Sequence, residues 1–464
     1  MIGCVGLKRI FLIALTVGAL SPGAGDARIE ADLRCRLGAY ALDDGRFLTI
    51  QGYEDSTRDL DYVLSSGEYG RLAAGPDGAY VPTNAEGKSY GSAAFAPCSD
   101  GSVSFTEFGK QAVSGRHVAL RVTDTYFNSA GTRLHGKLVL PASGAVSAIV
   151  VWIQGSEDTA ETDGIFWQYA LPMHGIGVFV YDKRGTGLSG GETSADFNVR
   201  ADDTAAAVRQ VHALAPQVHR IGDFGGSQGG WIAPLAATRA DLDFVIVGYS
   251  LAEGVTAQDR DEVEEAVRAA GFGEEVMPKV REITSATARV VKSYWKDGWD
   301  ELAAVKRKYS GEPWYKAING ENGYTAILLR TPEAKAREMG PKLDKHVSFG
   351  YDPRPVVSSI SSRQLWVLGG SDRTAPSQKT IPIISDIQKQ KPNLDLVIYR
   401  NADHGIAETF VSHGVERHRF PDGYIDLIAH WIADNRLPAG NADLDIRHGV
   451  DIPATTRQNA VVSP

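Results

Sequence analysis

Two hydrophobic patterns alternate along most of the chain. Short apolar runs typical of buried strands recur from about residue 116, and stretches with a helical period separate many of the later ones. The strand-like runs are Val118–Val122, Leu134–Leu140, Ala148–Ile153, Gly177–Tyr181, His219–Phe224, Phe244–Val247, Gln364–Leu368 and Leu394–Tyr399. The helical stretches are Ala201–Ala213, Trp231–Arg239, Ile381–Gln390 and Tyr424–Asn435. This α/β alternation predicts a mostly parallel sheet with helices on both faces.

Three segments depart from that pattern. Residues 28–115 are rich in glycine, tyrosine, serine and aspartate with short apolar pieces, which predicts a small β-rich domain with many turns. Residues 251 to about 355 are helical and charged, which predicts a helical cap inserted between two strands of a domain spanning 116–464. The polar, irregular stretch after Arg436 predicts a loosely packed tail.

The predicted cap is also rich in aromatic residues. They are Tyr294, Trp295, Trp299, Tyr309, Trp314, Tyr315 and Tyr324. Two interpretations stay open: they line an apolar substrate pocket, or they form the cap's own core.

The composition is that of an ordinary globular protein. The chain has 464 residues, 43% of them hydrophobic, and a formal charge of -9. This length can bury a substantial core. The acidic balance, with no Lys/Arg-rich run, argues against nucleic acid as a partner.

The N-terminus has the pattern of a secretory signal. Lys8 and Arg9 precede the apolar stretch Ile10–Leu20, and Gly25–Ala27 supplies small residues for cleavage. We predict a signal peptide at 1–27 and a secreted or periplasmic protein without a stable membrane anchor after cleavage. An uncleaved anchor is the alternative, although the apolar stretch is short for a membrane span.

The three cysteines fit this export. Cys4 lies in the predicted signal peptide, and Cys35 and Cys98 remain after cleavage. Two cysteines in an exported chain favour a disulfide within the N-terminal domain. Two buried reduced thiols are the alternative.

A Gly-x-Ser-x-Gly pentapeptide supplies the first candidate for chemistry. Gly225–Gly229 holds Ser227 between an apolar run and a helix-like exit. A nucleophile at a sharp strand-to-helix turn needs small neighbours, because the backbone is strained and the helix packs closely on the strand. A glycine-rich turn without function has the same local pattern.

Strand ends downstream of Ser227 supply a base and an acid. In a parallel sheet, functional groups collect at the carboxyl ends of strands. One predicted strand ends in Gly369–Asp372, and the next ends in Asp403, His404 and Gly405. Asp403 competes with Asp372 as the acid, but it adjoins His404 in sequence, which makes an orienting contact awkward. His413 and His418 are expected in a loop beyond the strand, and His430 within the last helix is expected to be structural.

These blocks, together with Tyr181–Ser189, resemble the α/β-hydrolase superfamily over roughly residues 116–435. The chain looks most like exported, capped members near serine aminopeptidases, prolyl-oligopeptidase-like proteins and small esterases. The resemblance implies a mostly parallel eight-stranded sheet and a triad of Ser227, Asp372 and His404 as nucleophile, acid and base. Asp182 and Arg184 are expected to fix a loop.

The same resemblance suggests an oxyanion hole. The backbone N–H of Gln228, just after the nucleophile, would be one donor, and that of Ser156, after the strand ending at Ile153, the other. Many relatives have His-Gly where this chain has Gln154 and Gly155. The following loop is acidic, with Glu157, Asp158, Glu161 and Asp163. It either attracts a cationic substrate or is simply a solvated loop.

The leading hypothesis is an exported serine hydrolase that cleaves small-molecule carboxylic esters through an acyl-enzyme. A serine peptidase, aminopeptidase or amidase with the same triad is the second. A catalytically inactive binding protein is the third. No metal-ligand spacing and no complete dinucleotide fingerprint is present, so no metal and no cofactor is expected.

Overall fold

The structure, a computed structural model, describes residues 29–53, 56–75, 78–318, 323–344 and 346–449. The predicted signal peptide at 1–27, with Cys4, lies outside the described residues. Within the described ranges, no helix is long and apolar enough to cross a membrane.

The N-terminal part of the chain is a β-rich unit. Its strands are β1 (Gly38–Leu42), β2 (Phe47–Gly52), β3 (Leu60–Leu64), β4 (Glu68–Ala74), β5 (Tyr80–Thr83), β6 (Gly91–Phe95), β7 (Ser102–Glu107) and β8 (Val113–His117). Neighbouring strands pair antiparallel in the order β4-β3-β2-β1-β8-β7-β6-β5, and β4 also pairs with β5. Because strand side chains alternate between faces, Val103 and Phe105 of β7 enter the core while Ser104 is exposed. Cys35 and Cys98 form a disulfide in this unit.

The second sheet follows directly. Its first eight strands are β9 (Leu120–Ser129), β10 (Thr132–Pro141), β11 (Ile149–Ile153), β12 (Gly177–Tyr181), β13 (Ile221–Gly226), β14 (Phe244–Gly248), β15 (Arg363–Gly369) and β16 (Leu394–Tyr399). They lie in the order β16-β15-β14-β13-β11-β12-β10-β9. β11 to β16 run parallel, and β9 and β10 are antiparallel. The eight apolar runs of the sequence correspond to these eight strands.

Helices cover both faces of the second sheet. The α-helices of the described chain, including those of an insertion, are α1 (Trp167–Ala170), α2 (Phe197–Leu214), α3 (Gly229–Ala236), α4 (Val255–Ala269), α5 (Met277–Lys292), α6 (Trp299–Tyr309), α7 (Tyr324–Arg330), α8 (Glu333–Leu343), α9 (Arg354–Ser359), α10 (Thr380–Gln390) and α11 (Tyr424–Asp434). α1 and α11 share one apolar core with the sheet, and α2, α3 and α10 pack in cores on the other side. This α/β layering agrees with the α/β-hydrolase fold that the sequence resembles.

The helical insertion lies between β14 and β15 and consists of α4 to α9. Five of its aromatic side chains are buried within one continuous apolar core: Trp295, Trp299, Tyr309, Trp314 and Tyr324. Tyr315 is partly buried against that core, and Tyr294 is exposed. Most of these aromatic residues therefore pack in a core, which favours the second of the two interpretations, but the insertion shares that core with one face of the sheet.

Two features of the C-terminal part differ from the sequence expectations. A hairpin of β17 (Glu408–Ser412) and β18 (Val415–Arg419) leaves the second sheet and pairs with β4 of the N-terminal sheet. His418 is therefore in a strand and His413 in its tight turn, so the expected loop was wrong. Arg417 of this hairpin lies over the Tyr90 ring, 4.4 Å from its centroid.

The tail after Arg436 is not loose throughout. Residues Leu444–Arg447 form β19, which pairs antiparallel with β16 at the edge of the second sheet. The second sheet therefore has nine strands among the described residues rather than eight. The expectation failed because the four-residue strand is polar and becomes a strand only by hydrogen bonding to the edge of β16.

Candidate functional site

The pentapeptide forms a sharp turn between β13 and α3. Ser227 has a φ of 53°, a left-handed conformation that non-glycine residues rarely adopt. A Cβ on Gly225 would come 2.1 Å from the carbonyl oxygen of Gly229, and one on Gly229 would come 2.3 Å from that of Ile153. Both positions therefore require glycine, which is the physical reason for the pentapeptide.

The turn brings Ser227 to a histidine and an aspartate from two neighbouring strand ends. The Oγ of Ser227 lies 3.1 Å from Nε2 of His404, and Nδ1 of His404 lies 2.9 Å from Oδ2 of Asp372. All three side chains are buried. The other carboxylate oxygen of Asp372 accepts hydrogen bonds from the backbone N–H groups of Thr374 and Ala375, which fixes its orientation. This is a geometry in which an imidazole can take a proton from a hydroxyl.

Asp372 also sets the protonation of the imidazole. Burial disfavours the imidazolium form of His404, but the charge and the hydrogen bond of Asp372 outweigh burial and raise the pKa of His404. Its Nδ1 faces a carboxylate, which holds the proton there and leaves Nε2 to accept from Ser227.

The competing acid points elsewhere. Oδ1 of Asp403 accepts from the backbone N–H groups of His404 and Arg373, so this carboxylate shapes the turn and does not bind the imidazole ring. His430 lies within α11, on a helix that covers one face of the sheet.

Tyr249 is a member of the site that the sequence did not indicate. It follows β14 with a φ of 39°, and its ring stands edge-on to the imidazole of His404. A Cβ on Gly226 would lie 2.1 Å from the Tyr249 hydroxyl, so the glycine at this position makes room for the tyrosine. Burial raises the pKa of Tyr249, which keeps its hydroxyl protonated. In the sequence, only its position after the predicted strand that follows the serine turn could have indicated that Tyr249 belongs to the site.

The two expected oxyanion donors lie on adjoining elements. Gln228 is the N-cap of α3, where backbone N–H groups have no partner within the helix. Ser156 lies in the loop after β11, and the close approach of Gly229 to Ile153 places that loop against the start of α3. Within the described ranges, neither the Gln228 nor the Ser156 N–H donates to a protein acceptor.

The acidic loop is only partly solvated. Asp158 is exposed, whereas Glu161 is buried and accepts a 2.7 Å hydrogen bond from the indole of Trp152. Burial and the neighbouring Glu157 raise the pKa of Glu161 to about 8. The simple solvated-loop interpretation is therefore wrong for Glu161. Glu157 is half-buried, and its Oε2 has no hydrogen-bond partner among the described residues.

Asp182, as expected from the sequence, ties down this loop. One of its oxygens accepts from the N–H groups of Glu161 and Thr162, and the other contacts Nδ1 of His135 at 2.9 Å. Arg184 forms a two-point ion pair with Asp203, which ties its own turn to α2.

The insertion contributes one carboxyl group near the site. Glu262 of α4 is half-buried and interacts electrostatically with His404 and Asp372. Burial and repulsion from Asp259 raise its pKa to about 8. No cluster of three or more histidine, cysteine or acidic side chains arranged for a metal occurs in the described part of the chain.

The chain has the α/β-hydrolase fold, with a serine, a histidine and an aspartate in contact at its strand ends. Residues 144–282 match the family model of the serine aminopeptidases, S33, which confirms the resemblance drawn from the sequence. No curated protein matches the sequence at a significant level.

Solved structures give weaker likenesses. An esterase from Pyrococcus furiosus is 14% identical over 61% of this chain and 83% of its own, with a TM-score of 0.38. The acylaminoacyl peptidase of Pyrococcus horikoshii is 12% identical over 79% of this chain and 52% of its own, with a TM-score of 0.39. An esterase from Exiguobacterium antarcticum is 16% identical over 61% and 93%, with a TM-score of 0.36. With TM-scores this low, these likenesses add nothing to the assignment.

Proposed function

We propose that the protein is an exported serine hydrolase that cleaves carboxylic esters through an acyl-enzyme. The observation that carries the proposal is the continuous contact from Ser227 Oγ through both nitrogens of His404 to Asp372, at 3.1 Å and 2.9 Å. A hydroxyl alone is a weak nucleophile, and a base held in the correct tautomer makes it reactive.

In the first half-reaction, Oγ of Ser227 attacks the ester carbonyl carbon while its proton moves to Nε2 of His404. The carbonyl π electrons move onto oxygen, and the oxyanion lies at the N–H groups of Gln228 and Ser156. When the tetrahedral intermediate collapses, the C–O bond to the alcohol breaks and the imidazolium protonates the departing alkoxide. Water then repeats the sequence on the acyl-enzyme and releases the acid.

Export rests on two observations. The N-terminal 27 residues have the composition of a signal peptide, and Cys35 and Cys98 are disulfide-bonded, which suits an oxidising compartment. Expression of the full chain in a bacterial host tests this: we expect a periplasmic or secreted product whose mature N-terminus lies near residue 28. A product that keeps its first 27 residues contradicts the proposed cleavage.

Active-site labelling tests the enzyme proposal. A fluorophosphonate probe should label the purified protein, and Ser227→Ala should abolish labelling. If the folded wild type is not labelled, the inactive binding protein becomes the better interpretation. A panel of p-nitrophenyl esters beside aminoacyl anilides then identifies the bond, and turnover of anilides without turnover of esters would overturn the ester assignment.

Amide or peptide hydrolysis is the second candidate, favoured by one observation. Besides Asp372 and Asp403, two further carboxyl groups interact electrostatically with His404: Glu157 from the acidic loop and Glu262 from α4. A protonated α-amino group bound near Glu262 would favour ionisation of this carboxyl group, whose pKa is otherwise raised to about 8, and would so gain a charge partner, as an aminopeptidase substrate requires. The family that the segment 144–282 matches is named for aminopeptidases.

A further inference from the structure

Arg200 of α2 lies beside the triad without belonging to it, and it contacts the residues around the expected oxyanion donors. Its side chain is buried, with 3% of its surface exposed. Its guanidinium donates to the carbonyl oxygens of Gln154 and Gly155, the latter at 2.7 Å, and to the side-chain oxygen of Gln228 at 2.5 Å. One cation therefore binds both elements that carry the expected oxyanion donors.

The planarity of the peptide bond gives these contacts a direction. In a trans peptide, the carbonyl and the following N–H point in opposite directions. A guanidinium that holds the Gly155 carbonyl on the α2 side turns the Ser156 N–H away from α2. Lys183 donates to the same carbonyl at 3.3 Å and also to that of Glu157, which adds to this orientation.

The contact with Gln228 fixes the second donor. Gln228 is the N-cap of α3 and directly follows the nucleophile. When its side-chain oxygen is held by Arg200, the residue that supplies the N–H cannot rotate independently of the β11 loop. The separation between the Gln228 and Ser156 donors therefore depends on one side chain that touches both elements.

A purely structural role does not account for this arrangement. The hydrogen-bond acceptors of Arg200 within the described chain are neutral oxygens, whereas the nearby carboxylate of Asp203 is occupied by Arg184. Burying a cation is costly, and desolvation lowers the pKa of Arg200. The nearby charges of Glu157, Asp203 and Asp158 offset part of that effect. A neutral side chain would fill the space with less cost, but it would not polarise two peptide groups.

We propose that Arg200 is a positioning residue that holds the backbone donors of Ser156 and Gln228 at the distance required by the oxyanion. This inference rests on the proposed function, because the oxyanion arises in acyl transfer from Ser227. It applies equally to ester and peptide bonds.

Steady-state kinetics of Arg200→Ala tests the proposal, with a p-nitrophenyl ester that the wild type cleaves. We expect kcat to fall about 100-fold to 1000-fold, the loss typical of a missing oxyanion donor, with KM changed less than about threefold. The inhibition constant of a trifluoromethyl ketone, which forms an oxyanion on Ser227, should rise by the same factor as kcat/KM falls. The pH at which activity declines on the acid side should not move, because His404 and Asp372 are untouched.

Two further variants separate positioning from folding. Arg200→Lys keeps the charge but cannot reach three acceptors, so it should recover the fold and only part of kcat. Guanidinium ion at non-denaturing concentrations should raise kcat of Arg200→Ala. Arg184→Ala is the matched control: it removes a partly buried arginine whose ion-pair partner, Asp203, lies on the same helix as Arg200, and it should keep kcat within about threefold and show no guanidinium response.

The outcomes distinguish the two proposals. A wild type that is unlabelled by fluorophosphonate and cleaves neither esters nor anilides overturns the proposed function, and this inference falls with it. An active wild type whose folded Arg200→Lys and Arg200→Ala keep wild-type kcat overturns this inference alone. A fall in kcat without a matching rise in the ketone inhibition constant also overturns it.

Discussion

The phenol ring of Tyr249 stands edge-on to the imidazole of His404, with ring centroids 5.2 Å apart and planes at 78°. The tyrosine reaches this place through a left-handed backbone at the end of β14, and its hydroxyl occupies the space that a side chain at Gly226 would need. The ring thus packs against both the base and the strand that leads to the nucleophile.

Gly226→Ala should therefore disturb the site through Tyr249. The new Cβ would lie 2.1 Å from the hydroxyl and 2.5 Å from Cζ, so the ring must move. We expect unfolding free energy to fall by about 1–3 kcal/mol in urea titrations, with slower fluorophosphonate labelling of the folded fraction. Gly350→Ala, at a position with no neighbouring atom within 4 Å, is the control and should change stability by less than about 0.5 kcal/mol. Equal labelling of both variants would contradict the role of Tyr249.

Asp372→Asn tests the acid. Loss of the carboxylate removes its electrostatic attraction for the His404 imidazolium and places an amide against Nδ1. We therefore expect kcat to fall roughly 10³-fold to 10⁴-fold. Because Asp372 raises the pKa of His404, the acid limb of the kcat/KM profile should move to lower pH in this variant. Asp403→Asn is the comparison: its carboxylate binds only backbone N–H groups, so the loss should be no more than about tenfold. A larger loss for Asp403→Asn would reverse the assignment of the acid.

Asp223 should make the protein less stable as the pH rises. It lies in β13, fully buried, and neither carboxyl oxygen has a hydrogen-bond partner among the described residues. Burial raises its pKa well above the ordinary value of 3.8. Above pH 3.8 the unfolded state releases a proton that the folded state retains, so stability falls with rising pH until the folded group ionises.

Asp223→Asn should remove that dependence. We expect the variant to gain roughly 1–3 kcal/mol over the wild type at neutral pH, with the difference shrinking toward pH 4, in urea titrations across pH. Asp241→Asn, at an exposed position, is the control. A constant difference between variant and wild type at all pH values would show that Asp223 does not titrate in this way.

Glu262→Gln distinguishes recognition of a free amino group from general acyl transfer. If Glu262 binds an ammonium, the ratio of kcat/KM for an aminoacyl ester to that for its N-acetylated analogue should fall about 10-fold to 100-fold. Glu274→Gln, an exposed position of the same insertion, should leave the ratio unchanged. Parallel changes for both esters would argue against a charge partner at Glu262.

The disulfide should stabilise the N-terminal unit. It closes a loop with a sequence separation of 63 residues, for which the chain-entropy model gives about 4 kcal/mol. Cys35→Ser together with Cys98→Ser should lower the midpoint of thermal unfolding, measured by circular dichroism. Alkylation of both cysteines in the unreduced, denatured wild type, seen by mass spectrometry, would contradict the bond.

Local sequence patterns were sufficient for much of the second sheet. The strands β10 to β16 coincide with apolar runs because strands buried on both faces tolerate few polar residues, whereas the edge strand β9 is mostly exposed and only its start overlaps an apolar run. The order of Ser227, Asp372 and His404 could be read from the sequence because each residue lies in the turn that follows such a run. The hairpin β17–β18 could not be predicted from the sequence, because Glu408–Arg419 is mostly polar and has no clear strand pattern. The hairpin is completed by the pairing of β18 with β4 of the other sheet.

By itself, the sequence determined the layering of the second sheet and the three residues that meet at its strand ends, because short-range periodicity and turn chemistry encode both. Only the tertiary structure decided that Arg200 joins the two oxyanion elements, that Tyr249 packs on His404, and that β19 extends the sheet. Each of these depends on contacts between residues far apart in the chain, and such contacts leave no periodic trace in either partner.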